Sequence, residues 1–185
     1  TASDNVSIGS NSMRFNTVGY DNVSIGSYSM YSNIDGIANV GIGVNTLKSN
    51  TVGYQNVAIC GYSLYDNING SNNVGLGVYS LHKNVSGGFN IGIGSSSLYD
   101  NTIAWYNIAI GANTLRYNTV GQYNIAFGYN SLYRNITGNK NIALGFETFY
   151  ENVDGSDNIA IGVYAMRDKV NGVNILNKNL CTSIT

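Results

Sequence analysis

The sequence predicts an all-β fold: a parallel β-solenoid (β-roll) of ten 17-residue coils, two short strands per coil, packed into an intertwined oligomer. Three observations predict the solenoid. Asparagine recurs at Asn5, Asn22, Asn39, Asn56, Asn73, Asn90, Asn107, Asn124, Asn141 and Asn158, a spacing of 17 with no insertion. A short, fixed period marks a stack of identical supersecondary units. Two glycine positions per repeat, with apolar residues alternating between them, fit short strands and turns and no helical period.

With the asparagine as slot 1, the coil reads in order. Slot 2 is Val or Ile, slot 3 is Ser, Gly or Ala, and slot 4 is Ile, Leu or Phe, so slots 1–4 form the first strand. Slot 5 is Gly except for Cys60 and opens a turn; in that one coil the following Gly61 lets the turn shift by a residue. Slots 8–10, Ser/Thr/Ala then Leu/Met/Phe, read as a second strand. Slot 12 is Asn except for Lys169, slot 13 is always β-branched, and slot 15 is Gly except for Ala104. Asparagine three residues ahead of glycine suits a turn that bonds its own backbone. Slot 1 asparagines stack as an amide ladder.

Coils stacked about 4.8 Å apart give a rod roughly 48 Å long with slots 2, 4, 9 and 13 inside. Four apolar side chains per coil are a thin core for 17 ordered residues. The small residues of slots 1, 3 and 5 are therefore expected to pack against partner chains, because small side chains permit close approach. Residues 1–4 read as a lead-in, 5–174 as the array, and 175–185 as a C-terminal cap or linker. Thr1 opens directly on repeat-like sequence, so the chain reads as a piece of a longer polypeptide.

Composition narrows the partners. Charged residues are 10%, proline is absent, and 30 asparagines accompany 23 glycines and 15 tyrosines. A net charge of -1, with nine Lys and Arg scattered along the chain, gives no footprint for nucleic acid or an anionic membrane. No apolar run approaches the roughly 20 residues of a membrane span. No cofactor or metal is expected: the single His82 and the lack of a repeated Cys, His or carboxylate cluster leave no zinc spacing. "GIGVN" and "GIGSS" place their glycines at slots 3 and 5 with no helix pattern following, so they are not dinucleotide loops.

The phrases "NVAICGYSL", "NIAIGANTL" and "NIALGFETF" resemble the repeats in heads of trimeric autotransporter adhesins and, more closely, the 17-residue repeats of phage and large-virus tail-fibre proteins. The resemblance covers about residues 4–174. It implies a homotrimer of parallel β-rolls, extracellular on a virion fibre or cell surface, used for attachment. "NKNLCTSIT" does not match a membrane anchor or C-terminal chaperone domain.

Slot 10 carries the chemistry most open to a ligand: Arg14, Tyr31, Lys48, Tyr65, His82, Tyr99, Arg116, Tyr133, Tyr150 and Arg167. Cationic and aromatic side chains one strand spacing apart suit cation–π contact. The same stripe, joined at slot 7 by Tyr28, Tyr62, Tyr79 and Tyr164, also suits a host-surface glycan or protein receptor. Glu147, Glu151 and Asp154 are the densest carboxylates, but they occupy variable slots and read as a solvated edge. Isoleucine and valine interrupt Thr17, Thr51, Thr102 and Thr119 at slot 13, so no continuous threonine array for ice binding exists. Sequons begin at Asn5, Asn22, Asn69, Asn84 and Asn135. Cys60 and Cys181 are about 30 Å apart in the rod, beyond disulfide reach. The leading reading is a non-enzymatic attachment fibre. A ligand-free structural spacer or filament subunit is second, and a polysaccharide-degrading spike third.

Overall fold

A computed structural model describes residues 2–168, in which ten parallel strands form one sheet in chain order, from β1 (Val6–Ile8) to β10 (Ile159–Ile161). Each strand occupies slots 2–4, and neighbours pair without a register shift, Val6 opposite Val23 and Ile161 opposite Leu144. The chain is an all-β parallel solenoid of 17-residue turns. The end of the tenth coil, the tail from Ile175 and Cys181 lie outside the described residues.

Each coil has one strand, not two. Slots 6–11 are turn throughout. The reason is backbone handedness: slots 7, 9 and 17 all adopt left-handed φ without glycine, as at Tyr62 (+61°), Leu64 (+50°) and Asn72 (+60°). Such a conformation costs about 1–2 kcal/mol per residue. At slot 9 the turned side chain is fully buried in Met30, Leu47, Leu64, Leu81, Leu98, Leu115, Leu132 and Phe149, and burial of a Leu contributes about 1.5–3 kcal/mol. Burial thus offsets the strain. Backbone bonds between coils continue through the turn, for example Leu64 N–H to the Ser80 carbonyl at 3.0 Å.

The inside and outside of the strand are the reverse of the sequence expectation. Slots 1, 3, 8, 9, 12 and 15 face the interior; slots 2 and 4 point outward, and slot 13 is only partly covered. The interior is one leucine wide. At slot 3 a Cβ added to Gly92 would sit 2.7 Å from Ser80 Oγ and 3.4 Å from Leu81 Cγ. Slot 3 is small because the leucine and hydroxyl of the preceding coil fill the space within the same chain, so it is not a partner-chain interface. Slot 8 hydroxyls close the interior polar balance, as Ser80 Oγ donates to the Gly92 carbonyl at 2.8 Å.

Two asparagine ladders carry the rest. In slot 1, Asn90 Nδ2 donates to Asn73 Oδ1 (3.1 Å) and to the Ala104 carbonyl (2.8 Å), while its own Oδ1 accepts from Asn107 backbone N–H at 3.0 Å. The pattern joins Asn5 to Asn22, Asn39, Asn56 and onward to Asn124, Asn141 and Asn158. Slot 12 builds a second ladder, Asn67 Nδ2 donating to Asn50 Oδ1 (2.7 Å) and to the Gly70 carbonyl (2.9 Å). The slot 15 carbonyl thus serves both ladders, and a Cβ there crowds the amides: at Gly36 it would lie 2.6 Å from Asn50 Nδ2.

Cys60 does not shift its coil. Its N–H still bonds the Ile42 carbonyl at 2.9 Å, in the register of the other coils. It meets the turn with φ +82°, against +122° to +140° for the slot 5 glycines. Among the sequon asparagines, Asn22, Asn84 and Asn135 are buried, Asn5 is half-buried and Asn69 is exposed.

Replacing Asn90 with Ala strands Asn107 N–H and leaves the Ala104 carbonyl only its longer bond from Asn101; urea denaturation is expected to show a loss of about 1–3 kcal/mol. Asn69→Ala should change stability by under about 0.5 kcal/mol. Ala109→Leu, directed inward at slot 3, should lose about 1–3 kcal/mol or more, whereas Ile110→Leu at outward slot 4 stays within about 1.5 kcal/mol.

Candidate functional site

The rings of slots 7 and 10 form one outward row along the rod, because the left-handed turn points successive slots to opposite sides and stacking places like slots beside one another. Tyr28 and Tyr31 lie 5.4 Å apart, and Lys48 Nζ sits 5.5 Å from the Tyr28 ring and 5.3 Å from the Tyr65 ring. Tyr65, His82 and Tyr99 then stack at 5.1 and 5.0 Å, with the Arg116 guanidinium 5.1 Å over Tyr99. Tyr62 and Tyr79 stack alongside at 5.1 Å. His82 is held within the row by Nδ1, 3.0 Å from the Tyr62 carbonyl oxygen.

Farther along, Tyr133 and Tyr150 stack at 4.9 Å and 9°, and Arg167 lies 5.3 Å over Tyr150 and 5.9 Å over Tyr164. Tyr117, at slot 11, links the two halves: Arg116 lies 5.7 Å over its ring, and it meets Tyr133 edge-on at 5.0 Å and 84°. Sequence reasoning missed Tyr117 because slot 11 is otherwise Ser, Phe or charged and carries no pattern. It also missed an exposed stack on another edge, Phe89, Tyr106 and Tyr123, with centroids 5.1 Å apart at each step. Reading slot 17 down its column would have found these three, since they are consecutive in the repeat. Trp105 lies beside them over Gly88, whose added Cβ would be 2.7 Å from the indole.

The stacking limits what the row can grip. Rings stacked coil on coil cover one another's faces, so a ligand meets mainly ring edges, phenol hydroxyls and the flanking charges. Three of the cations are in ion pairs, Lys83 with Asp100 at 2.7 Å, Arg134 with Glu151 at 2.9 Å, and Arg167 with Glu147 at 2.7 Å, while Lys48 and Arg116 lie over rings. The hydrogen bond to Asp100 raises the Lys83 ammonium above its ordinary value. Glu147 and Glu151 are thus each held by a guanidinium. Among the described residues no group of three or more His, Cys, Asp or Glu could hold a metal ion, and no helix is long and apolar enough to cross a membrane.

Tyr117 and Tyr133 share a hydrogen bond that splits their acidities. It lowers the Tyr117 phenol and, with burial, pushes Tyr133 from 10.0 up to about 12. The Tyr133 contribution to stability is therefore fully present below about pH 10 and disappears as pH rises through about 12. A spectrophotometric tyrosine titration should show one phenol ionising at about 12 and one below the ordinary range, and Tyr133→Phe should return Tyr117 toward it.

No protein-family model, curated protein or solved structure matches the chain.

Proposed function

We propose that the chain is a fibre or adhesin repeat domain, a stalk and attachment surface of a virion or cell surface, working outside the cell as a homotrimer without catalytic activity. One observation carries the reading: the sheet's outer face presents two unbroken apolar rows, slots 2 and 4, along all ten coils. Val6, Ile8, Leu76, Ile125, Phe127, Ile159 and Ile161 in these rows are exposed. A contiguous apolar strip of that length, on a rod whose interior is one leucine wide, calls for a covering surface. Copies of the same chain, in the same register, supply a surface of matching period, and the resemblance to tail-fibre repeats implies three of them. The interface is thus assigned to the Val/Ile face. The tyrosine row on slots 7 and 10 stays outside such an assembly and is the surface offered to a receptor.

The spacer reading draws support from the stacked rings, which satisfy one another without a ligand. Attachment is favoured by the exposed Tyr28, Tyr79 and Tyr164 and by the open Tyr117 edge.

Sedimentation equilibrium is expected to give the mass of three chains, and Ile93→Lys with Ile110→Lys to give one; a single-chain mass for the unaltered protein would count against the fibre. Tyr65→Ala, Tyr99→Ala and Tyr133→Ala together should abolish attachment to host surfaces with the trimer intact. Unchanged attachment would favour the spacer.

A further inference from the structure

A groove of about 910 Å³ runs along the rod beside the slot 10 row, crossing four successive coils from Asp100 to Val153. That volume is in the range of ligand sites, about 300–1,000 Å³. Its lining is two-sided. The slot 11 side carries the Arg134–Glu151 pair, whose side chains are 56% and 30% exposed, with Lys83–Asp100 at one end. The slot 13 side carries Thr119, Ile136 and Val153. Tyr117, Tyr133 and Tyr150 line it as well.

The charges exclude some ligands. Within the lining Arg134 pairs with Glu151, and Asp100 is held by Lys83 from the coil before it, so a charged ligand that engages these groups would have to break a pair. An apolar ligand would leave the guanidinium and carboxylates unmatched. A neutral polyol inserts without breaking either pair. Arg134 uses one of its five N–H donors on Glu151, leaving donors and carboxylate lone pairs for hydroxyls that both give and accept. Tyr117 completes the match: 38% exposed and turned 84° from Tyr133, it is the ring that the Tyr133–Tyr150 stack does not absorb. An exposed ring of that kind lies against the C–H face of a sugar. The groove offers no unpaired strand edge to an extended peptide, because the coils on either side are already paired.

We propose that this groove binds a neutral oligosaccharide lying along the rod, with Tyr117 against a sugar ring and the Arg134–Glu151 pair hydrogen-bonded to its hydroxyls. The proposal rests on the attachment reading and supplies its ligand class. Calorimetric titration of the whole chain with maltohexaose, cellohexaose and chitohexaose tests it. At least one is expected to bind, Tyr117→Ala to weaken it by about tenfold or more, and Tyr117→Phe to retain most of it. Glu151→Gln should weaken it too, with far-UV circular dichroism unchanged in all three variants. Three results overturn the groove: no binding of any of the three sugars, binding that Tyr117→Ala leaves unaltered, or preference for a sialylated or sulfated glycan. Host attachment that persists without neutral-sugar binding overturns the groove alone and leaves the attachment reading standing.

Discussion

The rod depends on buried amides that are satisfied only by their own kind. An asparagine side chain in an apolar interior costs several kcal/mol unless its donors and acceptor are matched. Here each interior slot 1 amide gives one hydrogen to the coil above or below and one to a slot 15 carbonyl, and receives a backbone N–H in return. That match exists only if the next coil carries asparagine at the same place. The unvarying 17-residue period follows from this requirement, since one inserted residue would orphan two amides at once. Where the described ladders end, at Asn152 and Asn158, the Oδ1 atoms are buried without a partner among the described residues.

Small residues follow from the same geometry. With two amide columns and a column of slot 8 hydroxyls inside, one large side chain per coil remains to be enclosed; slot 3 shrinks to admit it, and slot 15 shrinks to leave room for the amides. The larger β-branched residues are displaced to the outer face, where they make a long apolar strip. The protein has placed amides and hydroxyls within, beside its leucines, and a hydrocarbon strip without. That inversion explains how a chain with 10% charged residues and a net charge of -1 still has specific surfaces.

The period, the strand at slots 2–4 and the glycine corners were legible because each is a local preference repeated ten times. The facing of the strand was not. Alternation in "NVAIC" says that Val57 and Ile59 share a side and Ala58 the other; it does not say which side holds the leucine. The cue was Leu64, large in every coil and paired with a slot 3 that never exceeds alanine or serine. The second strand failed because left-handed leucine is uncommon in general, and nothing near "YSLYD" announces it. In the candidate site, the cation and tyrosine column at slot 10 was readable by periodicity, whereas Tyr117 acquires its role from neighbours two coils of side chains bring together.

Ala104 is the one methyl group admitted at slot 15. Beside it, Asn101 Nδ2 reaches the Ala104 carbonyl at 3.3 Å, Asn118 reaches Asn101 at 3.2 Å, and Asn107 reaches Asn90 at 3.3 Å, so both columns are at their longest across one junction. The longest rungs of both asparagine columns thus meet beside the single coil whose corner carries a side chain, so the amide spacing of a whole layer answers to one carbon atom.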